Sequence, residues 1–410
     1  MTQTDLNLNS ERPRQSRMEA FLSYGFRPFF LFAMIFGATA MALWLGWIAQ
    51  QSVGLPGFGF FSNIDMQPYF WHAHEMTFGY TVAVITGFFL TAVPGWTSTK
   101  PVSGTLLAAL VSVWVAGRIA NALSNSIPLW VTATVDLAFI PFLLVLVLKA
   151  LGARPSKRNA IFPPILILLL AANTMTYLDR AGIMDGGMES GLLLGINSIL
   201  LLITLIGGRV VPSFTTNHLR AKGLTVFSAS FLPIEISTVL SMVALVAFDL
   251  WAPSSPWVGG AALLAALFHL IRLYGWRGWD ALDNPMVWVL HLSYLWLIAG
   301  LALKAAAIFT GALNETTALH ALTAGAIGSI TVAIMTRAGL GHSGRSIKAS
   351  PALITAYAMI SIAALMRVAG PVVMPELYAQ IMVISGFIWM TALIITGFIF
   401  WPILTTPRPQ

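Results

Sequence analysis

The chain has no cysteine among its 410 residues. That excludes disulfides, thiolate-ligated haem, iron–sulfur clusters and zinc sites built on Cys. Any metal chemistry must come from His, Met, carboxylate or carbonyl groups. Charge is almost as scarce. Asp, Glu, Lys and Arg make up 9% of the residues while 57% are hydrophobic, giving a mean hydropathy of +0.81. A soluble surface of this size needs far more charge, so the class is an all-α, polytopic membrane protein. The net charge of +7 does not sit on a soluble module. This argues against a nucleic-acid partner and makes the lipid bilayer the main surroundings of the chain. Phosphate loops, Gly-x-Ser-x-Gly elbows, HExxH and glycosidase-spaced carboxylates are also missing.

What is present is a series of apolar stretches of about 20 residues, each long enough to cross a hydrocarbon layer of ~30 Å. Twelve are expected, over 27–50, 72–94, 102–123, 128–150, 160–182, 189–212, 223–248, 257–276, 285–310, 317–340, 350–370 and 376–402. They form one transmembrane domain, 27–402, between a polar segment, 1–26, and a short tail, 403–410. The first stretch is too long for a signal-peptide core and lacks a small-x-small cleavage pattern, so it reads as the first span. With both termini placed in the cytoplasm, 18 of the 22 Lys and Arg fall on the cytoplasmic side. The exceptions are Arg118, Arg180, Lys304 and Arg367. That bias predicts both termini inside. No internal repeat is visible.

This topology sorts most of the histidines into two layers. His72 and His74 open span 2 and His320 opens span 10, all on the outer side. His269 and His291 lie towards the inner ends of spans 8 and 9, while His218 and His342 fall in inner loops. Imidazole is the commonest protein ligand for haem iron and copper, and ionisable groups inside a membrane usually mark a site. His72 and His74 are two residues apart, so on a helix they face nearly opposite ways. One is expected to bind metal, paired with His320, and the other to orient it. His72 and Met76 share a face, which suits copper or a haem axial pair. The bland reading is a helix-start cap and a headgroup contact. Glu75 is either a proton donor and acceptor at this outer site or a first-turn carboxylate that complements the helix dipole. In the inner layer, haem iron held by His291 with His269 or His342 is expected, with Arg272, Arg337 and Arg345 available to its propionates.

Two further buried groups carry expectations. Glu235 falls about 12 residues into span 7, near the midplane, as a proton-relay group or a hydrogen bond at a Pro kink. Arg118 and Asp136 form either a buried ion pair or, for Arg118, a propionate contact.

Several motifs resemble the NnrS family. They are Gly25-Phe26-Arg27-Pro28-Phe29-Phe30, Trp71-His72-Ala73-His74-Glu75-Met76, Leu90-Thr91-Ala92-Val93-Pro94-Gly95-Trp96-Thr97, Gly208-Arg209-Val210-Val211-Pro212-Ser213-Phe214-Thr215-Thr216-Asn217, and the stretch from His320 through Arg337 to Gly341-His342-Ser343-Gly344-Arg345. The resemblance spans the whole chain. It implies a bacterial inner-membrane protein of about twelve spans, containing haem b and copper and tied to nitric oxide, denitrification and nitrosative stress. Its motif positions here are His72, His74, Glu75, Arg209, Asn217, His291, His320, Arg337, His342 and Arg345; the resemblance does not fix which of them bind metal, but it raises His342 to a candidate ligand and adds Arg209 as a candidate cofactor contact. An oxidoreductase is one reading. A twelve-span transporter, which Glu235 would suit, and a membrane sensor without turnover are the others. The sequence names no electron donor.

Overall fold

The computed structural model describes residues 16–53, 59–224 and 231–409. The polar N-terminal segment lies outside the described residues as far as residue 15. Helix is the dominant element, and there is no strand among the described residues. Twelve helices are long and apolar enough to cross a membrane: α1 (Phe26–Ser52), α2 (Pro68–Thr97), α3 (Gly104–Ala122), α4 (Leu129–Ala153), α5 (Phe162–Arg180), α6 (Gly187–Ala221), α7 (Leu232–Trp251), α8 (Pro256–Gly275), α9 (Pro285–Thr310), α10 (Glu315–His342), α11 (Pro351–Val373) and α12 (Pro375–Thr405). The end of the bundle holding His72 and His320 is termed outer, following the charge bias.

Three of the boundaries that differ from the hydropathy reading move functional residues. Helix α2 starts at Pro68 rather than at residue 72, with the proline in its first turn, so His72 lies a turn inside the helix instead of opening it. Helix α6 does not stop at residue 212 but runs through Pro212 to Ala221. Packing beyond the proline sustains it: Leu219 is buried, and Thr215 is buried and bonded across to His291. Helix α7 starts only at Leu232, with Pro233 in its first turn. Glu235 therefore sits at the helix start towards the inner face, not near the midplane. Proline fixes φ and lacks an N–H, so the first turn is its natural place.

Helices α2, α6 and α10 form the centre. Their apolar windows are 83, 83 and 72% buried, against 33–61% in the other nine spans. Each central helix touches the other two. The rest surround them in chain order: α4 packs on α5, α8 on α9, and α12 returns to α1. The chain is thus three four-helix units in a closed ring, each giving its second helix to the axis. Small residues permit the close approach. A Cβ on Gly195 of α6 would lie 2.9 Å from the Phe78 ring of α2, and one on Gly87 would lie 2.6 Å from Phe30 of α1.

Polar contacts fix the ring at specific points. Arg27 of α1 donates to the carbonyls of Leu404 (3.0 Å) and Thr406 (2.7 Å) at the end of α12. Arg345 donates to the Thr406 hydroxyl (2.8 Å). Cations at a helix C-terminus satisfy carbonyls that have no intrahelical partner. In the second and third units Lys304 of α9 pairs with Asp249 of α7 (2.8 Å), which also accepts from Asn197 of α6 (2.7 Å).

Both α2 and α10 are interrupted near their outer ends by a wide turn with i→i+5 bonding, Glu75–Thr81 in α2 and Ala321–Ile327 in α10. Such turns are rare and cluster at functional sites. In α2 the extra backbone groups find partners. The Trp114 indole donates to the Gly79 carbonyl (3.1 Å) and the Thr81 hydroxyl to the Met76 carbonyl (2.8 Å).

Candidate functional site

The two wide turns flank one cavity. It has a volume of about 110 Å³ at the outer end, bounded by α1, α2, α6, α10, α11 and α12, and both His72 and His320 line it. His72 stacks on Trp44 with ring centroids 4.7 Å apart and planes 13° from parallel. Its Nδ1 is buried without a partner. The His320 Nδ1 lies 2.8 Å from the Thr316 carbonyl. A carbonyl only accepts, so Nδ1 carries the proton and Nε2 is left as the nitrogen with a free lone pair.

Arg367 of α11 lines the same cavity. It is 7% exposed, its Nε has no partner, and no carboxylate pairs with it among the described residues. A buried charge without a counter-ion costs several kcal/mol. The site therefore asks for an anionic group. The Trp389 indole N–H is also without a partner and also on the wall. Gly328 opposite it must stay small, because a Cβ there would lie 2.7 Å from that nitrogen.

His74 turns away from this cavity, as a 200° separation from His72 requires. It is fully buried in a second polar cluster. Its Nδ1 meets Glu75 Oε1 (2.9 Å) and its Nε2 meets Asn173 Oδ1 of α5 (2.9 Å). The other oxygen of Glu75 accepts from Arg118 of α3 (2.8 Å), and Arg118 is also ion-paired with Asp136 of α4. Asp136 accepts further from Asn173 (2.9 Å) and Tyr177 (3.1 Å). Both nitrogens of His74 are occupied, and Arg118 is balanced by two carboxylates. The cluster joins α2, α3, α4 and α5, beside the cavity wall rather than on it.

The inner residues are more dispersed. His269 Nδ1 meets the Tyr294 hydroxyl (2.7 Å), and His291 Nε2 meets the Thr215 hydroxyl (2.8 Å). Neither lines the outer cavity or the two chambers below it. Gly278 packs so closely on His291 that a Cβ would lie 2.4 Å from its Nδ1. Glu235 is ion-paired with Arg272, which also donates to the Thr204 carbonyl (2.8 Å) and the Tyr294 hydroxyl (3.0 Å). Arg209 donates to the Arg158 carbonyl (2.6 Å), and Arg345 holds the end of α12. These groups are engaged with the protein itself. His342 and Arg337 differ, since they line a separate chamber of about 310 Å³ at the inner end of α10. Between the outer cavity and this chamber lies a third, of about 60 Å³, lined mainly by aliphatic side chains of α2, α6 and α10. It shares Thr81 and Ile199 with the outer cavity, and Phe88, Val210 and Ile334 with the inner chamber.

Arg367 is the residue that reading the sequence overlooks, counted there only as an exception to the charge bias. Its signal is an arginine inside an apolar span with no acidic residue in that helix.

Fold and site together define a multi-pass, all-helical membrane protein with an imidazole-lined interior cavity. The chain belongs to the NnrS family, whose profile, described as NnrS protein, matches residues 20–408. No curated protein is significantly similar to it.

Proposed function

We propose that the protein binds haem b in the outer cavity through His72 and His320, and serves in nitric oxide metabolism or resistance to nitrosative stress in the bacterial inner membrane. The observation that carries this reading is the donor set: two imidazoles and an unneutralised arginine opening on one cavity. Haem brings four equatorial nitrogens of its own and two carboxylates. It asks the protein for one or two axial ligands and for propionate partners. The Arg367 guanidinium fork suits a carboxylate.

Copper bound by His72, Met76 and His320 is the competing reading, because Met76 lines the same cavity. Arg367 argues against it. A buried guanidinium that meets the Tyr378 side chain but no carboxylate among the described residues repels a metal cation and attracts a propionate. The link to nitric oxide rests on the family resemblance alone.

Bound haem would supply redox chemistry and an iron centre for gas ligands. The chain's own residues set the surroundings. The Thr316 carbonyl fixes the His320 tautomer, and hydrogen bonds of this kind orient ligating imidazoles. Trp44 holds the His72 ring flat, and the apolar walls exclude water. Glu75, clamped between His74 and Arg118, stabilises the wide turn that brings His72 and Met76 to one wall.

The test is pyridine-haemochrome analysis and low-temperature electron paramagnetic resonance of purified protein. A low-spin signal is expected that disappears in both His72→Ala and His320→Ala, and haem should wash out faster from Arg367→Leu. An unchanged low-spin signal at full occupancy in both histidine variants overturns the assignment. So does a wild-type protein that carries copper at these residues and no haem.

A further inference from the structure

We infer that the seam between α1 and α12 binds an anionic phospholipid, with an acyl chain in an apolar groove on the lipid-facing side and the phosphate beside Arg27, Arg345 and Arg408 at the inner end.

The groove has a volume of about 780 Å³ and is lined by α1 and α12 alone, among others by Leu31, Ala38 and Ala42 on one side and Gly397, Phe398 and Trp401 on the other. Phe398 and Trp401 are exposed beside it. Its floor is low because the residues there are small. At Gly397 a Cβ would meet nothing closer than the Met34 Cβ, at 3.8 Å, so packing within the chain does not require a glycine. In a bilayer that space falls to lipid. The lining of α1 runs from Leu31 to Ala42, about 16 Å at 1.5 Å per residue. One leaflet of a ~30 Å hydrocarbon layer is about 15 Å deep. The groove is therefore as long as the acyl region of the inner leaflet, and Trp401 marks its inner end at the depth that indole rings favour.

Charge at the inner mouth selects the headgroup. Arg27, Leu31, Met34 and Ala38 stand at i, i+4, i+7 and i+11, one stripe of α1, so Arg27 lies a turn inward of the groove on the same face. Its Nη1 donates to the Leu404 and Thr406 carbonyls, while its Nε and Nη2 have no partner among the described residues. Arg345 reaches the same Thr406 through its hydroxyl. Arg408 packs on Gly344, where a Cβ would collide with it. Three guanidinium groups thus converge where α10 and α12 end. No carboxylate pairs with any of them among the described residues. Glu19, the acidic residue closest to Arg27 in the sequence, accepts from the Ser16 N–H instead (2.8 Å). A helix C-terminus carries about half a negative charge, so the ends of α10 and α12 together offset roughly one of the three. Carbonyls position the remaining charge without neutralising it. A phosphodiester neutralises it, and guanidinium forks match its oxygens. Basic clusters beside the inner ends of spanning helices recognise anionic headgroups in this way. A zwitterionic lipid fills the groove equally well but brings no net charge to the arginines.

The experiment is native mass spectrometry of the full-length protein in detergent, with phosphatidylglycerol and phosphatidylcholine of identical chains as probes. At about fivefold per basic residue, wild type is expected to retain one phosphatidylglycerol per chain with a preference of roughly 100-fold over phosphatidylcholine. Arg345→Gln/Arg408→Gln should cut that preference to about fivefold. Gly397→Phe, which fills the groove and leaves the arginines in place, should abolish retention of the lipid. Lys157→Gln/Arg158→Gln removes the same charge from the loop between α4 and α5 and should change nothing. A wild-type preference below about threefold overturns the proposal. An equal loss in the Lys157/Arg158 variant does so too, because it would mean general attraction to a basic face. Full retention in a monodisperse Gly397→Phe protein also overturns it. So does a wild-type dimer that Gly397→Phe converts to a monomer, which would put a second copy in the groove.

Discussion

Replacing Arg118 by methionine tests whether the buried cluster joining α2, α3, α4 and α5 is held by charge balance. Arg118, Glu75 and Asp136 are 8, 1 and 3% exposed. Arg118→Met keeps the length and apolar stem of the side chain but leaves two buried carboxylates facing each other without a cation. Breaking a buried ion pair from one side costs about 3–5 kcal/mol, or roughly two to nearly four powers of ten in the folded-to-unfolded ratio at 1.4 kcal/mol per tenfold. The neutral cluster Arg118→Met, Glu75→Gln, Asp136→Asn removes the imbalance. His74, Asn173 and Tyr177 remain as hydrogen-bond partners, so it should recover to within about 1 kcal/mol of wild type, because well-packed uncharged replacements of buried ion pairs are often neutral. Equilibrium unfolding by steric trapping in bicelles measures both variants. A single variant that loses less than about 1 kcal/mol, or a triple variant no more stable than the single, refutes the argument from unbalanced buried charge.

Two other outcomes are expected. A reporter fused after Gln410 should score cytoplasmic, and one inserted at the loop before α10 periplasmic; the reverse pattern would show that the charge bias misleads here. Asp283, between α8 and α9, is held below the usual carboxylate range by hydrogen bonds from His218 and Lys222. A depressed carboxylate adds stability above its unfolded value, near about 4, and loses it as pH falls through the folded value. Asp283→Asn should therefore melt slightly lower than wild type at neutral pH and converge with it in acid. Parallel curves at every pH would mean that the contact with His218 and Lys222 contributes nothing.

The twelve spans were legible because crossing a bilayer imposes length and apolarity on every helix, whatever it packs against. The divergence of His72 and His74 was legible for the same kind of reason, since it follows from helical geometry alone. Helix ends were less so. Pro212 reads as a terminator, yet α6 continues because tertiary packing supports it, and this misread shifted Glu235 away from the first turn of α7. Which helices are central could not be read at all. Helices α2, α6 and α10 are as apolar as their neighbours, and the order in the ring depends on contacts between spans far apart in sequence. The same limit hid Arg367. Its lack of a carboxylate partner is a property of what stands around it, and a sequence shows only what stands beside it.

The clamp that Arg27 places on the end of α12 has a consequence for biosynthesis. Arg27 and Leu404 are 377 positions apart. A ribosome adding about 5–20 residues per second needs roughly 20–75 s to cover that interval. Throughout it, α1 is in the bilayer with one flank shaped for a helix that has not been made. The fit is close: a Cβ at Gly37 would lie 2.9 Å from Leu393, and one at Gly386 would lie 2.5 Å from Leu45. Lipid or an insertase has to occupy that flank in the meantime. The ring can be shut only from its last helix, so a lesion at the C-terminal end of the chain leaves the first helix, the first to be inserted, without its partner.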